Sequence, residues 1–180
     1  MRILVAYATT EGHTRKVARH AARHLASKGD LVELLNVADA EEADVGAHEA
    51  VVMAGSVHAG SYQSDLRALA RAQRAELAAR PTLFLSVSLS AAGEDARDLD
   101  DLEKCVERFK DETGWTPGKV VHVAGALRFS KYDFFRYWAM RFITAQRQGK
   151  GKVVEEDDIE FTDWDKLEAD LDAWRASGSG

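Results

Sequence analysis

Five short apolar runs, separated by segments of helix length, constrain the fold of this chain more than any other feature. Each run is almost continuously apolar rather than alternating, which is typical of parallel strands covered on both faces. The predicted strands cover residues 3–7, 31–35, 50–54, 82–87 and 120–124. Strands and helices in alternation favour a doubly wound parallel sheet, because crossover connections between parallel strands are right-handed.

Four segments show the apolar spacing of three and four residues that amphipathic helices require. They cover residues 14–27, about 64–79, 99–112 and the stretch that follows Thr162. Thr162 is the predicted N-cap of the last helix, since acidic residues follow it in the first turn. We therefore predict one α/β domain over residues 1–176, a three-layer doubly wound fold with a five-stranded parallel sheet. Residues 177–180 are predicted to form a disordered tail.

Composition excludes several classes of protein. With 180 residues and a hydrophobic fraction of 46%, the chain can bury the core of one domain without disulfides or metals. Its single cysteine, Cys105, allows no internal disulfide and no cysteine-rich metal site, so we expect no metal and a reducing, cytoplasmic setting. A formal net charge of −6 argues against a nucleic-acid binder. No run approaches the roughly 20 apolar residues that span a bilayer.

The loop after the first predicted strand suits a phosphate. Ligands of doubly wound sheets bind at the carboxyl ends of the strands, and here a short loop leads directly into a helix. Its residues are Thr9, Thr10, Glu11, Gly12, His13 and Thr14. Backbone N–H groups and hydroxyls at a helix start bind anions, although a merely well-capped helix is the alternative. The glycine patterns of dinucleotide-binding proteins and P-loop hydrolases are absent from this loop, as is the acidic cluster of a receiver domain.

Two further loops of small residues are predicted at the same ends of the strands. The loop after the third strand contains Ser56, Val57, His58, Ala59, Gly60 and Tyr62, and the loop after the fourth contains Ser88, Leu89 and Ser90. Glycine lets backbone approach a flat ligand closely. His58 either stacks near that ligand or relays a proton, or is a plain loop histidine. Together the three loops predict an FMN site. The pattern identifies no catalytic side chain.

The chain resembles the menaquinone-dependent protoporphyrinogen dehydrogenase family of short flavodoxin-like enzymes. The resemblance spans residues 1 to about 174 and rests on residues 10–14, 56–62, 86–89, 124–129 and 161–165. It implies a flavodoxin-like fold with the strand order 2-1-3-4-5. It also implies an FMN that takes electrons from protoporphyrinogen IX, in haem biosynthesis, and passes them to a membrane quinone. Phosphate binding would fall to residues 9–14, with the flavin ring between the second and third loops. An acidic segment after Leu89 departs from the family pattern, in which we expect a longer, more basic insertion.

An insertion after the fifth strand has the most unusual composition in the chain. From Arg128 to Lys152 it carries seven Lys and Arg residues against one Asp, interleaved with aromatic residues. Three interpretations stay open: peripheral contact with the inner face of the cell membrane, a subsite for the propionates of a porphyrin, or packing over the sheet or against a second subunit in a homo-oligomer.

Two other redox functions fit the same fold. A flavodoxin-type electron carrier would need an acidic docking face rather than a basic aromatic arm. An NAD(P)H:quinone reductase would be revealed by bleaching of the flavin when NADPH is added. A non-redox module that has lost its flavin is disfavoured by the intact loop from Thr10 to Thr14.

Overall fold

The computed structural model describes residues 1–39, 43–93, 96–128, 152–155 and 158–178. They contain a five-stranded, all-parallel sheet of order β2-β1-β3-β4-β5. Its strands are β1 (Arg2–Ala8), β2 (Leu31–Asn36), β3 (Ala50–Ser56), β4 (Thr82–Ser88) and β5 (Lys119–Ala124). The predicted fold class and strand order are confirmed, because the five apolar runs pair with one another as parallel strands.

Within the described residues, five helices connect and cover the strands. They are α1 (His13–Ser27), α2 (Ser64–Ala72), α3 (Arg74–Ala78), α4 (Ala96–Thr113) and α5 (Trp164–Ser177). The single helix predicted over residues 64–79 is two helices, since the backbone of Gln73 leaves helical geometry with φ −103° and ψ 18°. Short 3₁₀ turns follow β2, precede β3 and follow β4.

The helices form a layer on each face of the sheet. One core cluster joins β1, β3, β4 and β5 to α1 and α5, where Leu25 and Leu171 are fully buried. The other cluster lies beneath α2, α3 and α4 and is aromatic at its centre. There the rings of Phe84 and Phe109 stack with centroids 4.9 Å apart, and Trp115 packs edge-on against both. Two apolar layers on one sheet explain why the strand sequences lack alternation.

Strand β2 departs from the prediction that every strand is covered on both faces. It lies at the edge of the sheet and pairs with β1 alone. Leu31 is 70% exposed and Leu34 is 39% exposed, although the apolar run is typical of an internal strand. An apolar run does not reveal which strand ends up at the edge, so this part of the prediction was wrong.

The start and end of α5 also correct the sequence analysis. Asp163, rather than Thr162, is the N-cap, and its carboxylate accepts from the Lys166 backbone N–H at 2.9 Å. Ser177 belongs to the helix, and the Gly178 N–H donates to the Trp174 carbonyl oxygen at 3.1 Å. The predicted disordered tail was therefore wrong for these two residues, while 179–180 lie outside the described residues.

A second, three-stranded antiparallel sheet joins the two ends of the predicted insertion. Its strands are β6 (Ala126–Arg128), β7 (Lys152–Glu155) and β8 (Asp158–Glu160), in the order β6-β8-β7. Residues 129–151, with the aromatic residues of the insertion, lie outside the described residues, so its three interpretations stay predictions. None of the helices within the described ranges is long and apolar enough to cross a membrane.

Candidate functional site

The carboxyl ends of β1, β3, β4 and β5 lie side by side and form what we call the carboxyl edge. Ala8 is paired with Gly55, Ser56 with Val87, and Ser88 with Ala124. The strand ends are tied across the sheet, since the Val57 N–H donates to the Val87 carbonyl oxygen at 2.9 Å. The three loops singled out in the sequence therefore meet at one edge, as parallel strands require.

The first loop, residues 9–12, delivers an open helix start to the carboxyl edge. Gly12 has φ +91°, a left-handed conformation that favours glycine, and its N–H donates to Thr9 Oγ1 at 2.9 Å. Among the residues that the structure describes, no side chain caps α1, and the first turn of this helix contains no acidic residue. Thr10 is exposed, whereas the side chain of Thr14 is buried and leaves only its backbone for a ligand. A helix start of this kind attracts an anion.

The second loop, residues 57–63, contains a tight turn. The His58 N–H donates to the Ser61 carbonyl oxygen at 2.9 Å, and the Ser61 N–H donates back to His58 at 3.1 Å. Ala59 and Gly60 at the centre have φ +49° and +75°, which is costly for alanine. Arg108 of α4 donates to the Gly60 carbonyl oxygen at 3.1 Å. A two-residue turn of this type requires left-handed backbone at both central positions, and it fixes the shape of the second loop.

Tyr62 does not lie at the carboxyl edge, which corrects the prediction that it binds the cofactor. Its side chain is 3% exposed, and its ring packs edge-on against Phe84 and Phe109 at 4.9 and 5.2 Å. The hydroxyl lies 2.8 Å from Ser86 Oγ, and burial raises the pKa of this phenol well above its usual value. Tyr62 instead anchors the second loop to the core; its sequence neighbours gave no sign that it faces inward.

Gln63 is a residue of the edge that the sequence analysis missed. Its Oε1 accepts from the Ser56 N–H at 3.2 Å, and its Nε2 donates to Ser56 Oγ at 2.6 Å and to Thr10 Oγ1 at 3.0 Å. The side chain therefore joins the first loop to the second. A single glutamine before a helix has no distinctive pattern, so only the fold reveals this bridge.

The third loop is short and built of small residues. Ser88 is buried at the end of β4, and its Oγ accepts from the Ala91 N–H at 3.1 Å. Leu89 and Ser90 are half-buried at the start of the 3₁₀ turn Ser90–Ala92. The Gly125 N–H donates to the Ser88 carbonyl oxygen at 2.9 Å, which holds the end of β5 against this loop.

Glu160 of β8 is held against α1 and α5. Lys16 Nζ lies 2.5 Å from its Oε2, and the indole N–H of Trp164 donates to its Oε1 at 2.9 Å. Burial alone would raise the pKa of Glu160, but these two hydrogen bonds outweigh it and lower the pKa. The carboxylate thus stays ionised and fixes the small sheet beside the first turns of α1.

The chemistry available at the carboxyl edge is that of binding and orientation. It presents hydroxyls, backbone donors at a helix start, and small loops on either side. Within the described ranges, no three metal-ligating side chains are grouped as a metal site would need. A doubly wound sheet with an anion site at its first strand end defines a class of proteins that bind nucleotide-like cofactors at this edge.

Comparison with known proteins identifies the family. A family model of the flavodoxin domain matches residues 4–153, so the chain belongs to the flavodoxin domain family. Protoporphyrinogen IX dehydrogenase (quinone) of Escherichia coli (strain K12) is 26% identical over 167 residues, which cover 93% of this chain and 91% of that protein. The protein of the same name from Leishmania major is 28% identical over 162 residues, 89% of this chain and 69% of that one.

Two solved structures share the fold. A short-chain flavodoxin associated with a PDU bacterial microcompartment has a TM-score of 0.57 and 15% identity, covering 99% of this chain and 100% of that chain. The apo form of the NADH:FMN oxidoreductase EMOB has a TM-score of 0.58 and 17% identity, covering 100% of this chain and 91% of that chain. At these identities the likeness concerns the fold alone.

Proposed function

We propose that this protein is an FMN-dependent oxidoreductase that oxidises protoporphyrinogen IX and passes the electrons to a quinone. The observation that carries the proposal is the uncapped start of α1 beside the hydroxyls of Thr10 and Ser56, at the edge where two small-residue loops meet. Membership of the flavodoxin domain family supports a flavin cofactor. The substrate and the acceptor are those in the names of the relatives that align along most of the chain.

The residues at the carboxyl edge fit the two unlike ends of FMN. The phosphate is an anion with acceptor oxygens only, and residues 9–14 offer hydroxyls, backbone donors and the positive end of a helix dipole. The flavin ring is flat and largely uncharged, and residues 57–61 and 88–92 are mostly small and carry no acidic or basic side chain apart from His58. When bound, the flavin supplies the two-electron chemistry that the protein side chains lack.

The protein's own contribution is to hold the loops in a fixed geometry. Tyr62 anchors the second loop through Ser86, and Arg108 holds the turn at the Gly60 carbonyl oxygen. Asp98 of α4 lies close to Gly93, so the third loop is packed against the start of that helix. A site whose loops are tied before binding loses less conformational entropy when the cofactor arrives.

An electron carrier of the flavodoxin type is the second candidate. It is favoured by the start of α4, where Leu99 is 46% exposed between the acidic side chains of Asp98, Asp100 and Asp101. Acidic groups around an exposed apolar residue beside the third loop resemble a docking surface for a basic partner. A carrier would exchange electrons with a protein and would not turn over a porphyrinogen.

The experiment that tests the proposal is an anaerobic titration of the FMN-loaded protein with protoporphyrinogen IX, followed by flavin absorbance. Bleaching of the flavin and its return on adding a quinone would support the enzyme. Bound flavin that ignores the porphyrinogen but is reduced by a partner protein would support the carrier, and bleaching by NADPH alone would support a quinone reductase. Failure of the protein to bind FMN would overturn the proposal as a whole.

A further inference from the structure

Gln63 joins two loops of the carboxyl edge that are far apart in the sequence. Its side chain reaches both Ser56, at the end of β3, and Thr10, which lies 53 positions before Gln63 in the chain. Gln63 also precedes α2, but its side chain makes no capping hydrogen bond to that helix. The side-chain amide of Gln63 therefore forms its hydrogen bonds with the two loops and not with α2.

The backbone determines which way round this amide lies. The Ser56 N–H is a donor, so only the carbonyl oxygen Oε1 can face it, at 3.2 Å. Nε2 is then placed to donate one hydrogen to Thr10 Oγ1 at 3.0 Å and the other to Ser56 Oγ at 2.6 Å. Exchanging the oxygen and nitrogen would set two donors against each other at the Ser56 N–H, and that hydrogen bond would be lost.

This orientation determines what the two hydroxyls can do. A hydroxyl has one hydrogen and two lone pairs. The hydroxyls of Thr10 and Ser56 each already accept one hydrogen bond from Gln63. In the part of the chain that the structure describes, neither hydroxyl donates to a protein acceptor. Thr10 is exposed and Ser56 is half-buried. Both hydroxyls are thus held with their hydrogens available to a third group.

We infer that Gln63 is a positioning residue that presents the hydroxyls of Thr10 and Ser56 as donors to the phosphate of FMN, and so selects FMN over riboflavin. The inference rests on the proposed function. Phosphate oxygens only accept, whereas the terminal hydroxyl of riboflavin can be satisfied by donors and acceptors alike. Hydrogen bonds to a charged acceptor are also the stronger kind. The selectivity therefore depends on the direction of two O–H groups, which Gln63 sets.

The test is a double-mutant cycle read with two flavins. Kd for FMN and for riboflavin would be measured by quenching of flavin fluorescence in the wild type, Gln63→Leu, Thr10→Val and the double variant. Gln63→Leu is expected to weaken FMN binding about tenfold and riboflavin binding less than about threefold. Thr10→Val should add little in the Gln63→Leu background, because the hydroxyl is no longer oriented.

A second variant separates orientation from simple filling of space. Gln63→Met has almost the same length and adds no charge beside the phosphate, but it neither accepts from the Ser56 N–H nor donates to the two hydroxyls. It should bind FMN about as weakly as Gln63→Leu does, whereas a spacer role predicts binding like the wild type. Gln73→Leu is the matched control, because the Gln73 side chain caps neither of the helices it separates.

The outcomes distinguish this inference from the function on which it rests. Tight FMN binding by the wild type, with equal losses for both flavins in Gln63→Leu or with wild-type binding by Gln63→Met, would overturn the inference alone. Additive effects of the two substitutions would do the same. A wild type that binds neither flavin would overturn the proposed function and the inference with it.

Discussion

His13 Nε2 lies 2.8 Å from Thr162 Oγ1, although 149 positions separate the two residues in the chain. The Thr162 hydroxyl donates its only hydrogen to the Ala124 carbonyl oxygen at 2.7 Å. It can then only accept from His13, so Nε2 of the His13 ring carries a hydrogen. One hydroxyl thereby ties the first residue of α1 to the end of β5 and to the segment that leads into α5.

Thr162→Val is expected to destabilise the protein. Valine keeps the shape but leaves the Ala124 carbonyl oxygen and the His13 ring without this partner, which should lower the free energy of unfolding by about 1–3 kcal/mol. Urea denaturation at neutral pH measures the effect. Thr116→Val is the control, since Thr116 is exposed, and a loss of the same size there would show that the substitution itself is responsible.

Gly12 and Gly29 make a matched pair for testing the first loop. Both have left-handed backbone, with φ +91° and +89°, and Gly29 has open space where a Cβ would lie. Alanine at either position should cost about 1–2 kcal/mol of stability. Only Gly12→Ala should also weaken FMN binding, by about tenfold or more, because it disturbs the helix start. Thermal unfolding and FMN titration of both variants separate the two effects, and equal FMN affinities would argue against phosphate binding at this loop.

Tyr62→Phe tests whether this side chain serves the core rather than the cofactor. Removing the hydroxyl leaves the fully buried Ser86 Oγ without its partner, which should cost about 1–3 kcal/mol of stability. FMN affinity should fall by no more than about threefold, because the ring still packs against Phe84 and Phe109 and continues to hold the second loop. Adding Ser86→Ala should restore part of the loss, since both polar partners are then gone. A shift of the flavin absorbance bands in Tyr62→Phe would instead place the ring against the cofactor.

Asp30 gives the protein a pH-dependent contribution to stability. Its buried carboxylate is 2.9 Å from the N-terminal amine and 2.5 Å from Arg175 Nε. Burial alone would raise the pKa of Asp30, but the hydrogen bonds and charges of Arg175 and the N-terminus outweigh it and hold the pKa below its usual value. Because the folded pKa is the lower one, this stabilisation is complete above the unfolded pKa of about 3.9 and is lost as pH falls through the folded pKa.

Asp30→Asn should therefore cost about 2–3 kcal/mol at pH 7 and progressively less below about pH 4. Urea denaturation of both proteins from pH 7 down to about pH 2 provides the comparison. Asp111→Asn, at an exposed position, should change stability by less than about 0.5 kcal/mol throughout. A cost for Asp30→Asn that is unchanged down to the lowest pH would mean that the loss comes from packing and not from the charge.

The strands of the sheet and the position of the carboxyl edge could be predicted from the sequence because both leave local signals. β1, β3 and β4 are apolar on both faces, so their residues reveal them without knowledge of their neighbours. Parallel strands all end on one side, so their order along the chain is enough to predict that the loops after them lie together. The signal that Gly12 gives before α1 is equally local, because its left-handed backbone affects only one turn of the chain.

Only the tertiary structure decided how individual side chains are used at that edge. Tyr62 faces inward because Phe84 and Phe109 form a pocket for it, and Gln63 faces the loops because Thr10 lies within reach. Asp163 caps α5 instead of Thr162, because the Thr162 hydroxyl is bonded to the Ala124 carbonyl oxygen and to His13. In each case the deciding partner is more than 20 positions away in the chain. A pattern of neighbouring residues can indicate burial and turn geometry. A contact between residues that are distant in the sequence forms only when the packed layers bring the two residues together.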